Sequence, residues 1–207
     1  MDSSDLDAEF AAAKAALLHS DRLILLHASV PPIMIAADMV GVASIELLDD
    51  GLWEPHPFGE RAYITPARVD PESGEHESEP RWTFFGQIID LIAWHPSTPM
   101  AWAARTGAAE CLGCFPPQLL TPDRVHVRRS PASWLAGRAR GIVPLGSPID
   151  QQALLLRLGS IAAEDHDHAL ELRRLCERPA SIPNIFIAGE RDDKRSTLAR
   201  GTEPIAR

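Results

Sequence analysis

The chain of 207 residues predicts a mixed α/β (α+β) fold. Three observations carry that reading. "GIVPL" (141–145), "SIAAED" (160–165) and "NIFIAGE" (184–190) are short apolar runs that read as buried strands. Helical patterns separate them, which gives a C-terminal β-α-β-α-β unit of parallel strands joined by right-handed crossovers. The first half instead holds short β-rich runs divided by turn residues, the pattern of a mostly antiparallel sheet.

Taken in order, residues 4–18 form an amphipathic helix with Leu6, Phe10, Leu17 and Leu18 on one face. Asp5, Asp7 and Glu9 suit the positive end of its dipole. "RLILLHA" (22–28), "PIMIAAD" (32–38) and "VASIELL" (42–48) are expected as strands, with Asp49-Asp50-Gly51 as a turn. "RAYITPA" (61–67) returns as a hairpin partner, and the acidic stretch 69–80 reads as an exposed, mobile loop. Within 81–94 periodicity leaves two strands, or a strand followed by a helix, open; a buried strand is favoured, stopped by His95-Pro96. Pro99 suits the first turn of a helix through Leu112. Four prolines make 115–133 largely irregular, with "RVHVRR" (124–129) as an edge strand. Helices are expected over 131–139, 149–158 and 166–177.

Size and composition suit one globular domain over 1–190, in halves 1–100 and 101–190, followed by a flexible tail over 191–207. No apolar run reaches the ~18 residues that a membrane span needs. The start "MDSSDLDAEF" lacks the basic region of a signal peptide, and three cysteines fit a reducing compartment, so the expected location is cytoplasmic with no membrane partner. Charge is uneven. Residues 1–80 carry 16 Asp and Glu against 4 Lys and Arg, whereas 105–140 hold six Arg against Glu110 and Asp123. Overall acidity opposes blanket polyanion binding, but the arginine stretch remains a local candidate.

Two groups of residues carry candidate chemistry. Glu164, Asp165, Asp167 and His168 follow a strand and open a helix, where α/β folds place ligands. Carboxylate and imidazole there can hold Mg²⁺ or Mn²⁺; the plainer alternative is that Asp165 or Asp167 caps the helix. Arg124, Arg128, Arg129, Arg138 and Arg140, interleaved with His126 and Trp134, can grip phosphate and stack on bases. Alternatively, those arginines pair with the acidic first half. Cys111 and Cys114 form a C-x-x-C without a second ligand pair at zinc-finger spacing. "GERDDKRS" (189–196) imitates a phosphate loop but lacks its second Gly. G-x-G-x-x-G, H-E-x-x-H and G-x-S-x-G are absent from the sequence.

"SIAAEDHDHA" resembles the strand-ending D-x-D of the Toprim domain of primases, topoisomerases and some nucleases, with Asp165 and Asp167 at the matching positions. The resemblance implies a Mg²⁺ site for phosphoryl transfer. The family's Glu after an earlier strand has no counterpart at the end of "GIVPLG", so the implied unit is a degenerate one. "DLIAWHPSTPMAWAARTGAAECLG" with "RSPASWLAGRARGIVPL" is similar to uncharacterised proteins of proteobacterial phages and mobile elements. The leading expectation is a non-catalytic accessory protein acting in DNA replication or transfer, with DNA or a replication protein as partner. The rival is a metal-dependent phosphoesterase using the 164–168 cluster. A third reading is a protein-interaction module with the 69–80 loop as its contact.

Overall fold

The computed structural model describes residues 3–69, 86–113 and 124–177. The strand expected over 184–190, the tail over 191–207, Cys114 and residues 70–80 of the acidic loop lie outside the described residues.

Three helices lead the chain: α1 (Ser3–Ala15), α2 (His19–His27) and α3 (Pro32–Ala36). In α1 the buried residues are Leu6, Phe10 and Ala13, one per helical turn. Leu17 and Leu18 fall beyond its end. The runs 22–28 and 32–38, expected as strands, are helical. In α2 only Asp21 and Leu25 are buried, four residues apart, while Leu23, Ile24 and Leu26 are exposed. A short aliphatic run has no periodicity to separate strand from helix. Local chemistry decides it here, because Asp21 accepts the Leu18 N–H at 2.7 Å. Helix α3 starts on Pro32, which suits a first helical position. Both helices end on a left-handed residue, Ser29 and Asp38, and the Val30 and Met39 N–H groups close the turns on the Leu25 and Met34 carbonyls.

Five strands follow: β1 (Gly41–Leu47), β2 (Trp53–Pro55), β3 (Glu60–Val69), β4 (Gln87–Trp94) and β5 (Trp102–Ala104). They form one antiparallel sheet in the order β2-β1-β3-β4-β5. A parallel bridge from Leu52 to Ala104 joins its two ends, so the sheet curls until it meets itself. One face packs on α1 through Phe10, Ile45, Trp53, Ile64 and Leu91. The other carries Val42, Tyr63 and Trp94 under α2 and α3. Strand β3 is buried on both faces from Ala62 to Ala67, where the one hydroxyl besides Tyr63, Thr65 Oγ1, accepts the Trp94 indole N–H at 2.9 Å. The helix expected from Pro99 to Leu112 is absent. Ala103 pairs with Ala93 and Trp102 with Trp94, so tertiary pairing overrides the helix preference of this alanine-rich stretch.

The remaining elements are β6 (Cys111–Leu112), β7 (Val125–His126), α4 (Pro131–Ala136), β8 (Val143–Pro144), α5 (Pro148–Arg157), β9 (Ile161–Ala162) and α6 (His166–Cys176). Strand β7 runs parallel to β9, and Val127 bridges in parallel to Ile142 just before β8. The parallel unit therefore exists, but "RVHVRR" is its middle strand rather than an edge. Each helix starts on a side-chain cap: Ser130 on the Ser133 N–H, Ser147 on the Asp150 N–H and Asp165 on the His168 N–H. Val125, Val127, Ile142, Leu154, Leu155 and Leu172 make the local core.

Candidate functional site

The bend from β9 into α6 brings Glu164, Asp165 and His168 together, and it brings Arg128 and Arg129 onto them. Arg129 grips Asp165 with both terminal nitrogens of its guanidinium and reaches Glu171 through Nε at 3.4 Å. Its backbone N–H donates to Glu164 Oε2 at 3.3 Å, and Arg128 Nη1 donates to Glu164 Oε1 at 3.5 Å. Asp165 also accepts the His168 N–H at 2.8 Å, so its two oxygens serve a fork and a cap at once. The Arg129 hydrogen bonds, with help from the His168 N–H, hold the Asp165 carboxyl well below the usual carboxylate range. His168 is buried, and its Nδ1 accepts the Glu164 N–H at 3.1 Å. Burial, reinforced by the Arg129 charge, pushes the His168 imidazole down in pKa. Both the burial and the accepting Nδ1 disfavour the charged form.

A hard divalent cation needs several free carboxylate oxygens. Here those of Glu164 and Asp165 are spent on guanidinium and backbone donors, and Asp167 is exposed. Among the described residues no group of three or more His, Cys, Asp or Glu side chains is placed to hold a metal ion. The donor set in this arrangement does not fit Mg²⁺ or Mn²⁺.

The five arginines divide into two sets. Arg128 and Arg129 are tied to the acids after β9, not to the acidic first half. Arg124, Arg138 and Arg140 are exposed, and among the described residues no ion pair reaches their side chains. Arg138 occupies the left-handed position after α4, with φ 58°. The Arg138 N–H bonds to the Leu135 carbonyl and the Ala139 N–H to the Trp134 carbonyl, which closes a Schellman turn that glycine ordinarily fills. Trp134 Nε1 holds the following Gly141 carbonyl at 3.0 Å. Gly141 lies against the His126 carbonyl, which brings Arg140 near the start of β7, where Arg124 stands. The Arg140 carbonyl accepts from Arg128 Nε at 3.4 Å, so the turn lies beside the guanidinium that also reaches Glu164, while the side chains of Arg124, Arg138 and Arg140 stay exposed.

Other chemistry-bearing residues escaped sequence reasoning. Asp90 is fully buried in β4 and accepts the N–H groups of Leu91, Arg105, Thr106 and Ala109. No spacing marks it, because three of its four donors come from a loop fifteen to nineteen residues on. Arg61 pairs with buried Asp21; burial opposes ionisation there, but Arg61 and the Leu18 N–H together hold the carboxyl below its ordinary value. Trp53 borders an apolar groove of about 340 Å³ with Ala12, Ala13 and Ala16. The groove's carboxylate, Glu9, is paired with Arg105. Among the described residues no helix is long and apolar enough to cross a membrane.

The sequence matches no known protein family and no curated protein. The fold is of the mixed α+β class and is similar to the DnaG primase catalytic domain whose structure was solved bound to single-stranded DNA. The TM-score is 0.51 at 17% identity. The similarity covers 84% of this chain, and the chain spans 66% of the length of that domain.

Proposed function

We propose that this chain is a non-catalytic accessory protein of DNA replication or transfer, of the kind carried by phages and mobile elements. It grips the phosphate backbone through Arg124, Arg138 and Arg140. The observation that carries the reading is the division of the arginines. After β9, guanidinium already pairs with Glu164 and Asp165, so the position where a Toprim-like unit would run metal chemistry is taken up by ion pairs. Beside it, the cationic side chains of Arg124, Arg138 and Arg140 stand exposed without an ion-pair partner among the described residues. Arg138 does so at a cost of about 1 kcal/mol for a left-handed backbone that glycine would adopt without strain. The similarity to a primase domain solved with single-stranded DNA adds support for a DNA setting.

A salt titration with labelled single-stranded and duplex DNA tests this. Three phosphate contacts give a log–log slope of about −2 on single strands. The triple variant Arg124→Gln, Arg138→Gln, Arg140→Gln loses binding at low salt. Arg138→Gly separates function from folding: it raises stability by about 1 kcal/mol while making the slope shallower by about 0.7. No binding at low salt, or an unchanged slope in the triple variant, removes the proposal.

A further inference from the structure

We propose a second, separate interface: the turn between β2 and β3 is an anchor for a protein partner that presents an apolar pocket ringed by lysine or arginine. Phe58 at its tip is 90% exposed. The turn that carries it is held from several sides. Pro55 and Pro57 restrict the backbone around His56. The Phe58 N–H donates to His56 Nδ1 at 3.3 Å, and the Gly59 N–H donates to the His56 carbonyl at 3.1 Å. The His56 N–H bonds across to the Ser44 carbonyl at 3.0 Å. Gly59 lies so close to β1 that a Cβ on it would stand 2.1 Å from the Ile45 carbonyl oxygen. The His56 ring meets the Phe58 ring edge-on at 6.2 Å. A protruding aromatic on a preorganised turn loses little entropy when a partner buries it, and aromatics of this kind dominate interface energetics.

Charge selects the partner. Between Ser44 and Glu60 the chain carries Glu46, Asp49, Asp50, Glu54 and Glu60 and no Lys or Arg. The antiparallel register sets Glu46 directly opposite Glu54, both exposed. Like charges in that relation destabilise a free sheet, and an approaching cationic surface relieves the repulsion. The same field repels DNA, so this face and the arginine face take different ligands.

The test uses the full chain against a displayed random-peptide library. The expected enrichment is for peptides that combine Lys or Arg with aliphatic residues. A synthetic peptide of that consensus loses about tenfold or more in affinity with Phe58→Ser, and likewise with the pair Glu46→Gln, Glu54→Gln. The paired charge variant keeps or raises thermal stability, which separates lost binding from lost folding. A consensus without basic residues, or peptide binding that survives either change, overturns the proposal.

Discussion

The antiparallel and parallel halves of this molecule hold themselves together by different means. In the first, Trp53, Ile64 and Leu91 are fully buried, and β3 alone pairs along seven positions with β4. In the second, paired strands run only two residues, and the bend after β9 is fixed by Arg128, Arg129, Glu164 and Asp165. Long registers remove enough apolar surface from water to define a core without directional help. Two-residue strands do not, so the second half leans on helix caps and guanidinium forks. Burial of hydrocarbon is indifferent to pH, whereas carboxylate pairing is not. The lesson is that the functional residues of the second half are largely consumed by its own folding, and only those left over face outward.

The largest expected effect lies in the first half. Trp53→Ala empties a fully buried site and frees the Leu91 carbonyl from the indole N–H, which now bonds to it at 3.0 Å. A loss of about 3–5 kcal/mol in urea denaturation follows; a loss under about 1 kcal/mol would break the contrast between the halves. Next comes Asp90→Ala, which strips a shared acceptor from four backbone donors. The cost is about 3 kcal/mol, and faster amide exchange at Arg105, Thr106 and Ala109 is the local readout.

Arg129→Gln is the smallest of the three, because its partner Asp165 is more than half exposed and solvent screens the pair. Its signature is a pH dependence. Arg129 depresses the Asp165 carboxyl below its ordinary value of 3.8. That contribution is fully present above about pH 4 and fades as acid protonates the folded carboxylate. The stability gap between wild type and variant is therefore widest at neutral pH and closes on acidification. A gap that persists unchanged into strong acid would show that Arg129 acts through packing instead.

Much of the fold was legible along the chain. The runs 42–48 and 61–67 announced their strands, and 149–158 and 166–177 their helices, because each is long enough to show a period or a cap, whereas 87–94 was too uniformly apolar to show one and only its pairing with β3 decides it. The errors came where sequence carried no period. "RLILLHA" and "PIMIAAD" are aliphatic without alternation, and only the Asp21 cap and a proline start reveal them as helices. The alanines after Pro99 pointed to a helix until β4 claimed them as a strand partner. Of the candidate site, the convergence of 164–168 at a strand end was readable. Its neutralisation by Arg128 and Arg129 was not, since those arginines lie about 36 residues away.

By itself, then, the sequence determined the class of the fold, the acidic first half, and the clustering of arginines between 124 and 140. Tertiary structure alone decided which charges meet. It spent Arg128 and Arg129 on the acids after β9, left Arg124, Arg138 and Arg140 outside, and set Glu46 across from Glu54. The physical reason is range: periodicity and capping act within a few residues and are written locally, whereas a charge is satisfied by whatever the chain returns to it from a distance.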